Sequence, residues 1–150
     1  MKTNKTTTSR RTGVKLKSRV RRFKIPNIRH IVVHSTVTPP HTGVQELTNI
    51  PYQYVVTKGG KVLKFKEIAH NHKTVDIAYL GGLDRKGNHC DTRTAVQNES
   101  LFGVLVQLTE LFPKATIIGA DEIYVYGHPN PGFDIKNWLN NYIPEFLQAA

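Results

Sequence analysis

The sequence predicts an α+β domain: a central sheet with two helices packed on it, preceded by a basic arm. Three observations predict it. Ile31-Val32-Val33 is a run of β-branched apolar residues, which fits a strand buried on both faces. Between residues 95 and 112, Leu101, Val104, Leu105, Leu108, Leu111 and Phe112 fall at helical spacing on one face. Lys58-Gly59-Gly60 separates two short strand-like runs and reads as a hairpin.

In order, the first strand covers residues 30–35 and ends on His34 before Ser35-Thr36. Residues 36–43 (TVTPPHTG) form a loop through their prolines and glycine. Residues 44–49 hold at most a turn or two of helix. Residues 52–57 and 61–66 are the hairpin strands, and residues 74–80 (TVDIAYL) form a further strand closed by Gly81-Gly82. The polar run 83–92 (LDRKGNHCDT) is a loop. Thr94 with Gln97 three residues later makes a capping box for the long helix, and Pro113 stops it. Residues 115–118 and 123–126 are two short strands, or one interrupted near Gly119. Asp134 caps a last helix whose buried side holds Ile135, Trp138, Leu139 and Tyr142, with Pro144 at its end or at a kink.

Charge divides the chain. Residues 1–24 contain ten basic residues and no acidic one: Lys2, Lys5, Arg10, Arg11, Lys15, Lys17, Arg19, Arg21, Arg22 and Lys24. The remaining eleven Lys/Arg face all eleven Asp/Glu, so the body is formally neutral and the arm carries the whole net charge of +10. This sets a boundary, with an arm over 1–25 and a folded domain over 26–150. Such a polycation attracts nucleic acid or another polyanion by counterion release, without sequence preference. A solubilising or assembly tail accounts for it as well, and a mitochondrial presequence has a similar composition. From residue 14 to 25 apolar and basic residues partly alternate, so an edge strand is also open there.

Other classes are excluded. A single cysteine, Cys90, rules out an internal disulfide framework and a multi-cysteine zinc knuckle. No run of about 18 apolar residues exists to span a membrane. No apolar leader opens the sequence, which is consistent with cytoplasmic synthesis or with a phage particle. No serine or cysteine triad, phosphate loop or paired-carboxylate arrangement is recognisable.

The stretches IVVHST, PYQYVVTKGGKV, IAYLGGLDRKGNHCDTRTAVQ, FPKATIIG and NPGFD resemble, in this order, the zinc-dependent N-acetylmuramoyl-L-alanine amidases. That family includes the amidase-type phage lysozymes and the peptidoglycan recognition proteins. The resemblance covers residues 30–140 and none of the arm, and YxGGLDxxG…DTRTxxQ is its most specific part. It implies a mixed sheet flanked by helices, with a cleft for the muramyl-peptide stem of bacterial cell wall.

The family's chemistry uses three zinc ligands and an open position for water, which the metal acidifies. The resemblance matches His34 to the first ligand, Ala120 to the second and Asn130 to the third. Alanine cannot bind metal, and a carboxamide oxygen is a poor zinc ligand. His128, in Tyr126-Gly127-His128, is the alternative second ligand, and Asp134 the alternative third. By the same resemblance Tyr52 sits beside the metal, Gln53 takes a companion histidine's place, and His128 falls where the transition-state stabiliser would be. The segment between His34 and Tyr52 is shorter than the family's. His70, Asn71 and His72 lie where the family has ligand-facing polar residues, with loop histidines as the plainer account. His89 and Cys90 have no assigned role, and Tyr124 and Tyr126 are read as packing residues.

Three functions follow as expectations. One is an amidase-fold protein without zinc hydrolysis, serving as a binding or structural module for peptidoglycan or a virion-like assembly, with no cofactor. Another is an active amidase that binds zinc through an unorthodox set. The third is a nucleic-acid-binding protein in which the arm is the function and the body a passive anchor.

Overall fold

The computed structural model describes residues 25–142. The arm at 1–24, the edge strand open within it and Pro144 lie outside the described residues. Five strands form one mixed sheet: β1 (His30–Ser35), β2 (Tyr54–Val56), β3 (Val62–Lys64), β4 (Thr74–Tyr79) and β5 (Thr116–Gly119). Their order is β3-β2-β4-β1-β5. β1 runs parallel to both β4 and β5, β2 runs parallel to β4, and β3 closes one edge as the antiparallel arm of the hairpin. Two helices complete it, α1 (Ala95–Leu111) and α2 (Ile135–Asn141).

Strand periodicity gives the sheet two distinct faces. Ile31 and Val33 of β1, Val75, Ile77 and Tyr79 of β4 and Val56 of β2 meet Leu101, Val104, Leu105 and Leu108 of α1 in one cluster, joined by Ile135 of α2. Each fully buried Ile, Val or Leu there contributes about 1.5–3 kcal/mol relative to exposure. The alternate residues, Val32, His34, Val55, Asp76 and Ala78, turn to the other face. Val32, Val55 and Ala78 are also wholly buried. The reading of β1 as buried on both faces therefore holds.

α1 begins at the expected capping box: Thr94 Oγ1 accepts from Gln97 N–H at 3.1 Å and Gln97 Oε1 accepts from Thr94 N–H at 2.9 Å. Gln97 is itself fully buried, and its Nε2 donates to Val56 O and Leu80 O, tying the helix start to the ends of β2 and β4. One expectation on the face of α1 needs correction. Leu111 sits at the edge of that face and is 64% exposed, while Phe112 beside it is buried. On α2, Tyr142 is half-buried against Phe102 and Trp138, as Trp138 and Leu139 are half-buried.

Residues 123–126 are not a strand. β1 offers partners to β5 only as far as Val33 opposite Gly119. Beyond that, Ala120–Glu122 curl into one 3-10 turn, held by Gly119 N–H on Glu122 Oε2 and Tyr124 N–H on Ala120 O. Residues 44–49 contain a single 3-10 turn at Val44–Glu46.

The Gly81-Gly82 pair has a conformational reason. Both residues have positive φ, 146° and 104°. A Cβ on Gly82 would collide with Ser35 Oγ. This close approach lets the loop after β1 dock on the loop after β4, through Thr36 N–H on Tyr79 O and Thr38 N–H on Gly81 O.

Candidate functional site

The site lies on the sheet face away from α1, toward the carboxyl ends of the parallel strands, where open sheets commonly carry ligands. His34 is 5% exposed, and its Nε2 lies 2.7 Å from Asp76 Oδ1. Thr74 Oγ1 donates to the other carboxylate oxygen at 3.2 Å, and Asp76 N–H donates to Gln53 Oε1 at 2.7 Å. The carboxylate accepts, so a neutral His34 ring carries its proton on Nε2 and leaves Nδ1 as the basic nitrogen.

Tyrosines surround this pair. Tyr52 lies 4.9 Å from His34 between ring centroids, and its hydroxyl donates to Ser35 O at 3.4 Å. Its pKa is pushed up to about 12, chiefly by burial, then by Tyr126 and Asp76. Tyr124 and Tyr126 are raised by burial and by nearby acidic groups, Asp76 among them. All three phenols therefore stay protonated at neutral pH and offer O–H donors.

Tyr124 and Tyr126 do not join the core, contrary to their reading as packing residues. They are 38% and 40% exposed. Ring contacts run from His34 to Tyr124 (5.9 Å), to Tyr126 (5.8 Å), to His128 (5.3 Å) and to His89 (4.0 Å). The structure thus brings Tyr52 to His34. It links His128 to His34 through two tyrosine rings and stacks it on His89. His70 and Asn71 sit exposed in the turn before β4, and His72 is half-buried, its Nδ1 accepting from Ala69 N–H. The basic residues named in the arm lie outside the described residues.

The positions that the resemblance assigns to the second and third zinc ligands have other partners. Ala120 is fully buried and has no donor atom. Asn130 is 3% exposed, and its Oδ1 accepts from Ser35 N–H at 2.8 Å. Asp134 Oδ1 accepts from Asn137 N–H as the N-cap of α2. Among the described residues no group of three or more His, Cys, Asp or Glu is arranged to hold a metal ion. His34 alone, backed by a carboxylate, has the setting of a metal-binding histidine. The rest of the donor set does not fit zinc.

Asp76, Thr74 and Gln53 were not singled out as a unit from the sequence. One signal was available: a lone carboxylate inside TVDIAYL is costly to bury unless it is paired.

No protein-family profile matches the chain. Among characterised proteins it is 27% identical over 127 residues to the endolysin of Escherichia phage T7, covering 72% of this chain and 83% of that protein. It is 25% identical over 127 residues to the endolysin of Enterobacteria phage T3, with the same coverage. Among solved structures, the Ph2119 endolysin of a Thermus scotoductus bacteriophage superposes with a TM-score of 0.58 at 20% identity, covering 79% of this chain and 84% of that one. The amidase LysC of Clostridium intestinale gives 0.51 at 19%, covering 78% and 87%. The chain has the fold of these N-acetylmuramoyl-L-alanine amidases. A bumblebee peptidoglycan recognition protein, PGRP-SA, has the same fold (TM-score 0.55, 16% identity, 80% and 84% covered). The amidase fold brings the expected mixed sheet with flanking helices.

Proposed function

We propose that this chain is a non-hydrolytic member of the amidase fold, a module that binds a muropeptide-type ligand or is built into a larger assembly. One observation carries the reading: the Asn130 carboxamide, in the third ligand position of the resemblance, is buried and committed to the backbone of Ser35. Ala120 supports it, since no side-chain movement can make alanine a ligand. The basic segment at 1–25 acts as the anchor, drawing the domain to nucleic acid or another polyanion.

The second reading is an active cell-wall amidase, the activity suggested by the endolysin names of its relatives. The His34–Asp76 pair favours it, because a carboxylate behind an imidazole is how metal-ligating histidines are commonly oriented. Metal analysis of the purified chain, run beside a cell-wall turbidity assay with and without chelator, separates the two. The binding reading expects less than a tenth of an equivalent of zinc (roughly, for a site lacking two of three ligands), no chelator-sensitive clearing, and retention on peptidoglycan. One tightly held zinc per chain with clearing that His34→Ala abolishes would overturn it.

A further inference from the structure

We propose that the hollow beside the His34–Asp76 pair is an oxyanion subsite, which takes a carboxylate or phosphate of the ligand lying across this face. It extends the binding reading above by naming the group recognised, and its first test does not depend on that ligand. The hollow has a volume of about 220 Å³ and is lined by Gln53, Lys66, His72, Lys73, Thr74 and Asp76. At ~30 Å³ per water, it accommodates a hydrated anion.

Its lining is rich in donors, and the acceptors are already used. Lys66 and Lys73 are in no ion pair among the described residues, whereas nearby Lys64 is matched by Glu67. Asp76 is the only acid in the lining, and its two oxygens are engaged by His34 and Thr74. Gln53 is 4% exposed. A backbone N–H can only donate, so the bond from Asp76 N–H fixes the Gln53 oxygen and leaves its amide NH2 as the free end. The same logic applies at His72: Ala69 N–H donates to Nδ1, which puts the neutral ring's proton on Nε2. Two ammonium groups, a buried amide and an imidazole N–H therefore line one hollow whose single carboxylate, Asp76, is bonded to His34 and Thr74. Hydrogen bonds from such groups to an ionised oxygen are stronger than neutral ones.

Amide NMR of the full chain at low salt, titrated separately with N-acetylglycine and inorganic phosphate, tests the subsite directly. The expected result is saturable shifts of the Gln53 side-chain NH2 and of the Thr74 and Asp76 backbone amides. Whichever probe binds more tightly distinguishes a carboxylate from a phosphate source. The double variant Lys66→Gln/Lys73→Gln, both exposed positions, should bind about tenfold more weakly. Lys61→Gln, exposed and outside the hollow, should leave binding unchanged. No saturable shift at Gln53 with either probe, or equal affinity in the double variant, would overturn the subsite. If the wild type binds muropeptide and the double variant binds it equally, the subsite falls and the binding reading stands. If small anions bind and muropeptide does not, the subsite stands and the binding reading falls.

Discussion

His34 Nε2 and Asp76 Oδ1 lie 2.7 Å apart, although the two residues are 42 positions apart in sequence. The parallel β1–β4 register sets His34 opposite Ala78 and Asp76 opposite Val32, so the two side chains are diagonal neighbours on one face. With side-chain exposures of 6% and 15%, neither group is well solvated when its partner is removed. Breaking a buried pair on one side costs about 3–5 kcal/mol when fully buried. Asp76→Ala should therefore lose roughly 2–3 kcal/mol in urea unfolding, discounted for the partial exposure of Asp76. Asp76→Asn, which keeps an acceptor, should lose less. Equal stability of Asp76→Ala and wild type would show that the pair has no structural weight.

Alkaline stability should depend on Tyr52. Its phenol ionises near 10 in the unfolded chain and at about 12 in the fold. Stability is thus complete below pH 10 and falls as pH rises toward 12, because only the unfolded state releases the proton in that window. The loss amounts to about 3 kcal/mol at most. Tyr79, raised by burial first and then by Asp91, adds a loss of the same sign. Unfolding curves for Tyr52→Phe between pH 10 and 12 should be visibly flatter than wild type. An identical slope would contradict the burial of this hydroxyl.

Restoring donors should create a metal site. Ala120→His with Asn130→Cys puts an imidazole and a thiolate at the two positions that the resemblance matches to the second and third zinc ligands, with His34 already oriented by Asp76. Equilibrium dialysis should detect zinc on the double variant at micromolar concentration or below and none on wild type. The Asn130 change also orphans Ser35 N–H, at a cost of about 1–3 kcal/mol without metal. Asn130→Asp, which retains the acceptor, should escape most of that cost. Failure of the double variant to bind zinc would mean that the carried-over positions are wrong.

Gln97 should be among the least replaceable polar residues. Fully buried, it accepts from Thr94 N–H and donates to Val56 O and Leu80 O. Gln97→Leu fills similar volume but leaves Thr94 N–H and Leu80 O unpaired, at about 1–3 kcal/mol each before relaxation, while Val56 O keeps its bond from Leu80 N–H. A loss of roughly 2–4 kcal/mol in thermal or urea unfolding is expected, against about 1 kcal/mol for Thr94→Ala, which removes the cap and an exposed bond to Lys58 O. Equal losses for the two variants would reduce Gln97 to a capping residue.

Local pattern carried the elements. The β-branched run 31–33, the hairpin glycines, the capping box and the helical spacing of Leu101 to Leu108 each express a preference the backbone has within a few residues. Those elements stand where the sequence put them. The errors, Leu111 and residues 123–126, fall at the edge of a helix face and where a neighbour's length overrides the local pattern. The site was half legible: His34 stands out at a strand end, and the resemblance led to Tyr52, Ala120 and Asn130. Asp76 under His34, Asn130 holding Ser35 and the donors converging beside Gln53 depend on strand register and loop docking. Those contacts join residues 23 to 95 positions apart, and only the folded sheet brings them together.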